Sequence, residues 1–297
     1  MLTLLLRALV ATATATLFQP APVAAQPAGG IRRTVFISVA DRQHRWVTDL
    51  TAEDLIVKER GKVCVVQSAT QGAGLLRIAL LIEPSLLGDT NVHSALSQFV
   101  GKMQGRAEIG LVTAGPRDRT IIAYTKDAGV LTTGISRLSQ VRDPGPDHLG
   151  EGIFETARAQ MKSETRHRAV IALGIDRDQI MNMQAQEVLD ELQHSGVMLF
   201  VASVPGPMGT MPVGDMADAS GLSQVLGDGP KQSGGRREQV TITAGFPDVL
   251  KAFADELLHQ YEVVYLLPAG TKPDNRLSVT TTRRDVFVRA PSRVPNR

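Results

Sequence analysis

The chain has 297 residues, of which 43% are hydrophobic and 21% charged, and its formal net charge is +2. This length allows one large domain with an appendage, or two small domains, and a hydrophobic core that needs no disulfide. The low net charge excludes an obligatory polyanionic partner, and Cys64, as the single cysteine, excludes an intrachain disulfide.

The first predicted element is a signal peptide at residues 1–25. One basic residue, Arg7, precedes an apolar segment at residues 8–18, and residues 23–25 (Val-Ala-Ala) place small side chains before the expected cleavage point. The apolar segment is too short and too rich in threonine for a membrane-spanning helix. We therefore expect an exported protein, periplasmic or secreted, with no membrane span after cleavage.

Residues 31–70 have no helical periodicity and predict a small β module. Residues 34–40 are strand-like. Residues 55–58 and 63–67 flank Gly61, which can adopt a positive φ, and this pattern is typical of a β-hairpin. A lone hairpin is not stable in water, so this module needs further strands.

From Arg77 onward, short apolar strands alternate with helical periodicity. The predicted strands are Ile78–Ile82, Ile109–Thr113, Ala169–Leu173, Val197–Ala202 and Val263–Leu267. Because strands that alternate with helices form parallel sheets covered on both faces, residues 75–268 predict an α/β domain. Residues 121–124 predict an antiparallel edge strand, and residues 204–240 predict a long irregular connection because they are rich in Gly, Pro, Asp and Ser.

The chain returns to hairpin character near its end, at residues 277–282 and 286–289. We expect these strands, within residues 269–290, to pair with the β module of residues 31–70. Residues 291–297 contain two prolines and predict a flexible tail.

Several segments resemble the von Willebrand factor type A (VWA)-related family of predicted secreted bacterial proteins. The stretch VFISVADRQHRWVTDLTAEDLIVKERGK is similar to the opening pattern of that family, and residues 253–265 are similar to its closing helix and strand. The matching positions of the opening pattern are Asp41, Arg45, Val47, Leu50, Thr51, Asp54, Val57, Glu59, Gly61 and Lys62. The resemblance implies a Rossmann-like VWA domain with a mostly parallel central sheet, accompanied by a β module built from both chain ends.

The resemblance also places a metal-ion-dependent adhesion site after the first parallel strand, where its Asp-x-Ser-x-Ser loop aligns with residues 83–87. Glu83 replaces the aspartate, Ser85 matches, and Leu87 offers no oxygen. The later threonine falls at or near Asp147 or His148, and the second aspartate aligns with Ile175, one place before Asp176.

Such a degenerate site implies no metal ligand and no cofactor, because Mg²⁺ requires six hard oxygen ligands. If a divalent ion such as Mg²⁺ or Mn²⁺ were retained, its ligands would be Glu83, Ser85, Asp147 and Asp176. Without an ion, we expect the carboxylates of Glu83, Asp147 and Asp176 to be bare and to attract a Lys or Arg of a partner.

The resemblance favours a non-enzymatic protein that binds an unknown protein partner at the cell envelope. The predicted interaction edge consists of Glu83, Ser85, Asp147, His148 and Asp176. One alternative is a secreted hydrolase that uses Ser85 or the acidic cluster, and another is a purely structural envelope component. Nucleic-acid binding is not expected, because the basic residues near the chain end have no interleaved aromatic side chains.

Overall fold

The computed structural model describes residues 30–72, 74–114, 119–141, 148–177, 181–206, 216–272 and 275–295. The predicted signal peptide at residues 1–25 lies outside these ranges, as does the candidate ligand Asp147. Within these ranges, no helix is long and apolar enough to cross a membrane. The described strands form two six-stranded sheets.

The described strands are, in chain order, β1 (Ile31–Asp41), β2 (Leu55–Glu59), β3 (Lys62–Gln71), β4 (Leu76–Ile82), β5 (Ala107–Thr113), β6 (Arg119–Thr125), β7 (Arg168–Asp176), β8 (Met198–Pro205), β9 (Arg237–Gln239), β10 (Tyr261–Leu267), β11 (Leu277–Thr281) and β12 (Val286–Arg289). The described α-helices are α1 (Thr90–Met103), α2 (Ala128–Ser136), α3 (Leu149–Gln160), α4 (Ala185–Ser195), α5 (Met216–Ser233) and α6 (Phe246–Leu258). Strands therefore alternate with helices through the middle of the chain, as the sequence predicts.

One sheet, which we name the chain-end sheet, has the order β11-β2-β3-β10-β1-β12. All its strand pairs are antiparallel, and β1 pairs with β10 along its first half and with β12 along its second half. The β2–β3 turn contains Gly61 at a φ of 76°, in the left-handed region that glycine tolerates. Strands from both ends of the described chain thus share one sheet, and its inner face buries Val57, Val263 and Tyr265.

The second sheet, the α/β sheet, has the order β6-β5-β4-β7-β8-β9. Its pairs are parallel except for β6, which is antiparallel to β5 as predicted. Helices α1, α2 and α6 pack on one face, and helices α3, α4 and α5 pack on the other. Two covered faces explain why its central strands are continuous apolar runs.

The sequence places β10 among the parallel strands, and this prediction is wrong. β10 lies in the chain-end sheet, antiparallel to both β1 and β3. Its sequence, YEVVYLL, is an apolar run because β10 is an interior strand of that sheet, and most of its side chains are buried on one face or the other. An apolar run indicates burial on both faces but does not specify which sheet supplies the neighbours.

The irregular connection predicted for residues 204–240 is also wrong, because α5 and β9 lie within it. Gly227, Gly229 and Pro230 suggested a loop, yet they are part of α5. The helix is stabilised by tertiary packing, since Leu222 and Val225 are fully buried against the α/β sheet. Local propensity was overridden by the burial of this apolar face.

Candidate functional site

The carboxyl edge of the α/β sheet holds the predicted site. β4 ends at Ile82 and is followed by Glu83, while β7, its parallel neighbour, ends at Asp176. The backbone N–H of Glu83 donates to the Leu173 carbonyl at 2.9 Å, which fixes Glu83 beside the end of β7. The structure therefore brings Glu83 next to Ile175, as the alignment with a metal loop requires.

Glu83 is a buried carboxylate with partners inside the chain. Its side chain is 1% exposed, and its two oxygens accept hydrogen bonds from the Ile175 backbone N–H and, at 2.7 Å, from Nη2 of Arg177. The Ser85 hydroxyl also hydrogen-bonds to it. Burial raises the pKa of the Glu83 carboxyl, while these three hydrogen bonds and the charge of Arg177 act in the opposite direction.

Asp176, at the end of β7, is also paired with an arginine of the same chain. Its carboxylate forms an ion pair with Arg237 and accepts a hydrogen bond from Nε2 of Gln239 at 2.7 Å, both on β9. The prediction that Glu83 and Asp176 are bare carboxylates is therefore wrong. Each binds an arginine of the same chain, which removes the repulsion that a partner's Lys or Arg was expected to relieve.

The described side chains around Glu83 do not match the oxygen donors that a divalent ion requires. Leu87, at the position of the second serine, is buried in the core, and Ile175 offers a hydrogen-bond donor instead of an oxygen. Arg177 takes the other oxygen of the carboxylate. Among the described residues, no group of three or more His, Cys, Asp or Glu side chains is placed to hold a metal ion.

His148, the residue before α3, lies on the same edge but makes contacts of its own. Its Nδ1 is 3.7 Å from Oε1 of Glu151 and 3.4 Å from Nδ2 of Asn182. Directly after it, Leu149 is fully buried beside Gly174, where an added Cβ would meet Leu149 Cδ2 at 2.5 Å. Asp147 lies outside the described residues, so the edge as described consists of Glu83, Ser85, His148 and Asp176.

A second cluster of buried charge joins the two sheets and was not found from the sequence. Glu256 of α6 is 0% exposed, and its carboxylate binds Nε of Arg236 at 2.9 Å and Nη1 of Arg289 at 2.6 Å. Ser38 of β1 donates its hydroxyl to the same carboxylate at 2.8 Å. A buried carboxylate held by two guanidinium groups from different elements is a strong positional constraint.

The polar network continues inward to a buried histidine. The side-chain amide of Gln260 donates to the Ser38 hydroxyl at 3.1 Å, and its carbonyl oxygen lies 2.7 Å from Nε2 of His167. The His167 ring stacks on Phe36 at 4.0 Å between centroids. Burial lowers the pKa of His167 to about 4, against the opposing effect of Gln260.

The residues that sequence reasoning missed are chiefly the arginines that pair with the buried acids. Arg177 is separated from Glu83 by 94 positions, and Arg237 is separated from Asp176 by 61. The one local indication is the Asp176-Arg177 pair, three residues after the end of a predicted strand, where a basic side chain reaches the same edge. Arg237 has no such indication, because its strand β9 was not predicted.

No family model matches the chain. No curated protein matches it either. Among solved structures, a von Willebrand factor type A protein from Catenulispora acidiphila is similar at 8% identity and a TM-score of 0.49, over 91% of this chain and 75% of that one. BatB from Bacteroides thetaiotaomicron is similar at 16% identity and a TM-score of 0.44, over 62% of this chain and 97% of that one.

A third similar structure is the proximal thread matrix protein 1 of the mussel byssus, with a zinc-occupied adhesion motif. It shares 13% identity at a TM-score of 0.46, over 70% of this chain and 50% of that one. The sheet orders and strand registers of this chain define its fold.

Proposed function

We propose that this is an exported, non-enzymatic protein that binds another protein at the cell envelope without a metal ion. The observation that carries the proposal is the pairing of buried Glu83 with Arg177 at 2.7 Å. In a metal-dependent adhesion site, the cation supplies the positive charge at this position. Here a guanidinium of the same chain supplies it, with the planar donor geometry that suits a carboxylate.

The exposed part of the carboxyl edge carries both signs of charge. Glu83 is too deeply buried to contact a partner, whereas Ser85 is exposed and Asp176, Arg177 and His148 are half-buried. A partner at this edge would therefore meet paired charges and a hydroxyl rather than an open metal coordination position. Such a surface is suited to a protein contact in which hydrogen bonds provide specificity.

The alternative of a hydrolase requires a general base beside Ser85. The Ser85 hydroxyl hydrogen-bonds to Glu83, while Nε2 of His93 lies 2.7 Å from the Leu87 carbonyl and His148 lies beside Glu151. This arrangement favours the binding role over nucleophilic catalysis, because the carboxylate that Ser85 contacts is already bound by Arg177 and the Ile175 N–H, which makes it a poor general base.

Thermal unfolding with EDTA, and with millimolar Mg²⁺, Mn²⁺ or Ca²⁺, tests the metal-independent site. We expect the same melting temperature in all four conditions, because a metal that binds only the folded state must raise it. An ion present at a hundred times its dissociation constant would stabilise the protein by about 2.7 kcal/mol. The proposal would be refuted if Mn²⁺ raised the melting temperature and Asp176→Ala abolished that rise. It would also be refuted if EDTA prevented recovery of the partner from envelope extracts.

A pair of engineered variants provides the matched control. The first carries Glu83→Asp, Leu87→Ser and Ile175→Asp, which restores the oxygen donors of the family pattern. The second adds Arg177→Ala. We expect measurable Mn²⁺ stabilisation chiefly in the second, because the guanidinium competes with the ion for the carboxylate. Equal Mn²⁺ stabilisation in both would show that Arg177 does not take the place of the cation.

A further inference from the structure

A cleft of about 1040 Å³ lies between the chain-end sheet and the α/β sheet. We name it the inter-sheet cleft. One wall is the outer face of the β1–β12 ladder, where Ala40 lies opposite Phe287 and Ser38 lies opposite Arg289. Its size is at the upper end of the range for ligand pockets in proteins, so it is large enough for several residues of a peptide.

The opposite wall includes β9, the edge strand of the α/β sheet. The side of β9 that faces β8 is already hydrogen-bonded, since the Val201 N–H donates to the Arg236 carbonyl and the Val240 N–H donates to the Ser203 carbonyl, both at 2.9 Å. Backbone groups alternate along a strand, so those of Arg237 and Gln239 point away from β8. Among the described residues no strand pairs with this side of β9, so a further strand can join it.

Basic side chains predominate in the lining. They are Lys231, Arg236, Arg237 and Arg289. The two acidic residues of the lining already have partners outside it: Asp41 binds Arg45 at 2.8 Å and Asp255 binds Lys102 at 2.5 Å. The negative charges of Asp41 and Asp255 are therefore neutralised by basic side chains that do not line the cleft.

Two of the basic side chains retain capacity for an anion. Arg289 shares the single carboxylate of Glu256 with Arg236, and both of its hydrogen bonds to that carboxylate use Nη1. Lys231 is 77% exposed, and its ion-pair partner Asp228 is at 3.9 Å, the outer limit of an ion pair. A carboxylate in the cleft could bind these two groups without breaking a short existing ion pair.

The cleft also has an apolar side. Phe287 is 62% exposed, an unusual position for a phenylalanine, and Trp46 lies half-buried nearby with its ring stacked on His259 at 5.8 Å. Exposed aromatic rings next to basic groups are typical of the anchor positions of protein–protein interfaces.

We propose that the inter-sheet cleft binds an extended acidic peptide segment of the partner protein. The segment pairs its backbone with the open edge of β9 at Arg237 and Gln239, and it places carboxylates against Lys231 and Arg289. Its apolar side chains pack on Phe287 and Trp46. This inference rests on the proposed function and adds the inter-sheet cleft, as a second contact surface for the partner, to the carboxyl edge.

Trp46 makes the test direct, because it is the single tryptophan of the chain. Its fluorescence is measured while the protein is titrated with a short peptide of alternating Glu and Val. The comparison peptides are one of alternating Lys and Val, and the Glu-Val peptide with N-methylated backbone amides. We expect only the unmodified acidic peptide to change the fluorescence saturably, with an affinity that falls as salt is raised.

Two variants locate the site. Lys231→Glu reverses an exposed charge in the cleft, and we expect it to weaken binding of the acidic peptide by about tenfold. Lys251→Glu makes the same change on the exposed side of α6, outside the cleft, and should leave the affinity unchanged. Both sites are exposed, so circular dichroism should show the same folded content in both proteins.

Each other outcome overturns the inference. It fails if no fluorescence change occurs up to about 1 mM of acidic peptide, if the N-methylated peptide binds equally well, or if the two variants weaken binding alike. If the Lys231→Glu variant recovers the partner protein at wild-type levels and EDTA has no effect, the cleft is not the binding site, although the proposed metal-independent function still stands. Recovery that depends on a metal ion would instead reject the proposed function.

Discussion

Replacing His167 by phenylalanine should remove a large part of the pH dependence of folding stability. The imidazole is 4% exposed, stacks on Phe36 and lies 2.7 Å from the side-chain oxygen of Gln260. Its pKa is lowered from an ordinary value of 6.5 to about 4, chiefly by burial. Phenylalanine keeps an aromatic ring on Phe36 but cannot be protonated.

The sign of the effect follows from proton uptake by the unfolded chain. At pH 7 the imidazole is mostly neutral in both states, so it contributes little. As the pH falls below 6.5, the unfolded imidazole binds a proton that the folded one does not bind until the pH approaches 4. The folded state therefore loses stability on acidification, by about 2 kcal/mol between pH 7 and pH 5 from this group alone.

Urea unfolding at pH 7 and at pH 5 measures the difference directly. The wild-type protein should lose about 2 kcal/mol more than His167→Phe over this interval. The variant itself should be less stable at pH 7 by about 1–2 kcal/mol, because Gln260 loses a hydrogen-bond partner. His194→Gln, at an exposed position on α4, should behave like the wild type. Identical pH dependence of His167→Phe and wild type would refute the reasoning.

Three other predictions concern the inter-sheet charge, a close backbone approach and export. Glu256→Ala leaves Arg236 and Arg289 facing a buried site without their carboxylate, and chemical denaturation should show a free energy of unfolding lower by about 3–5 kcal/mol. The control Glu238→Ala removes only a half-exposed partner of Arg236 and should lower it by less than about 1 kcal/mol. Gly235→Ala places a Cβ 2.0 Å from a backbone oxygen of β8 and should destabilise the protein by about 1–3 kcal/mol or more. At Gly227, inside α5, an added Cβ meets no described neighbour within 4 Å, so Gly227→Ala should be neutral or stabilising. Equal melting temperatures for the two variants would contradict this account. Sequencing of exported material should find an N-terminus directly after Ala25, and a retained first methionine would count against the signal peptide.

Much of the fold follows from the sequence alone. The apolar runs at residues 78–82 and 169–173 predict central parallel strands, because such strands are buried on both faces and cannot alternate. Pro247 has no backbone N–H and lies in the first turn of α6, where that donor has no partner in any case. The hairpin patterns near both chain ends needed neighbours, and the structure pairs them in one sheet. These features depend on local periodicity and on backbone chemistry.

The tertiary structure alone decided where β10 lies and how the candidate site is neutralised. An apolar run is compatible with either sheet, so the antiparallel position of β10 depends on packing that no local pattern encodes. The sequence predicts that Glu83 and Ile175 depart from a metal loop, but the binding of Glu83 by Arg177 depends on two strands ending side by side. Ion pairs form between side chains that the fold brings together, so their partners are fixed by geometry in space rather than by spacing along the chain.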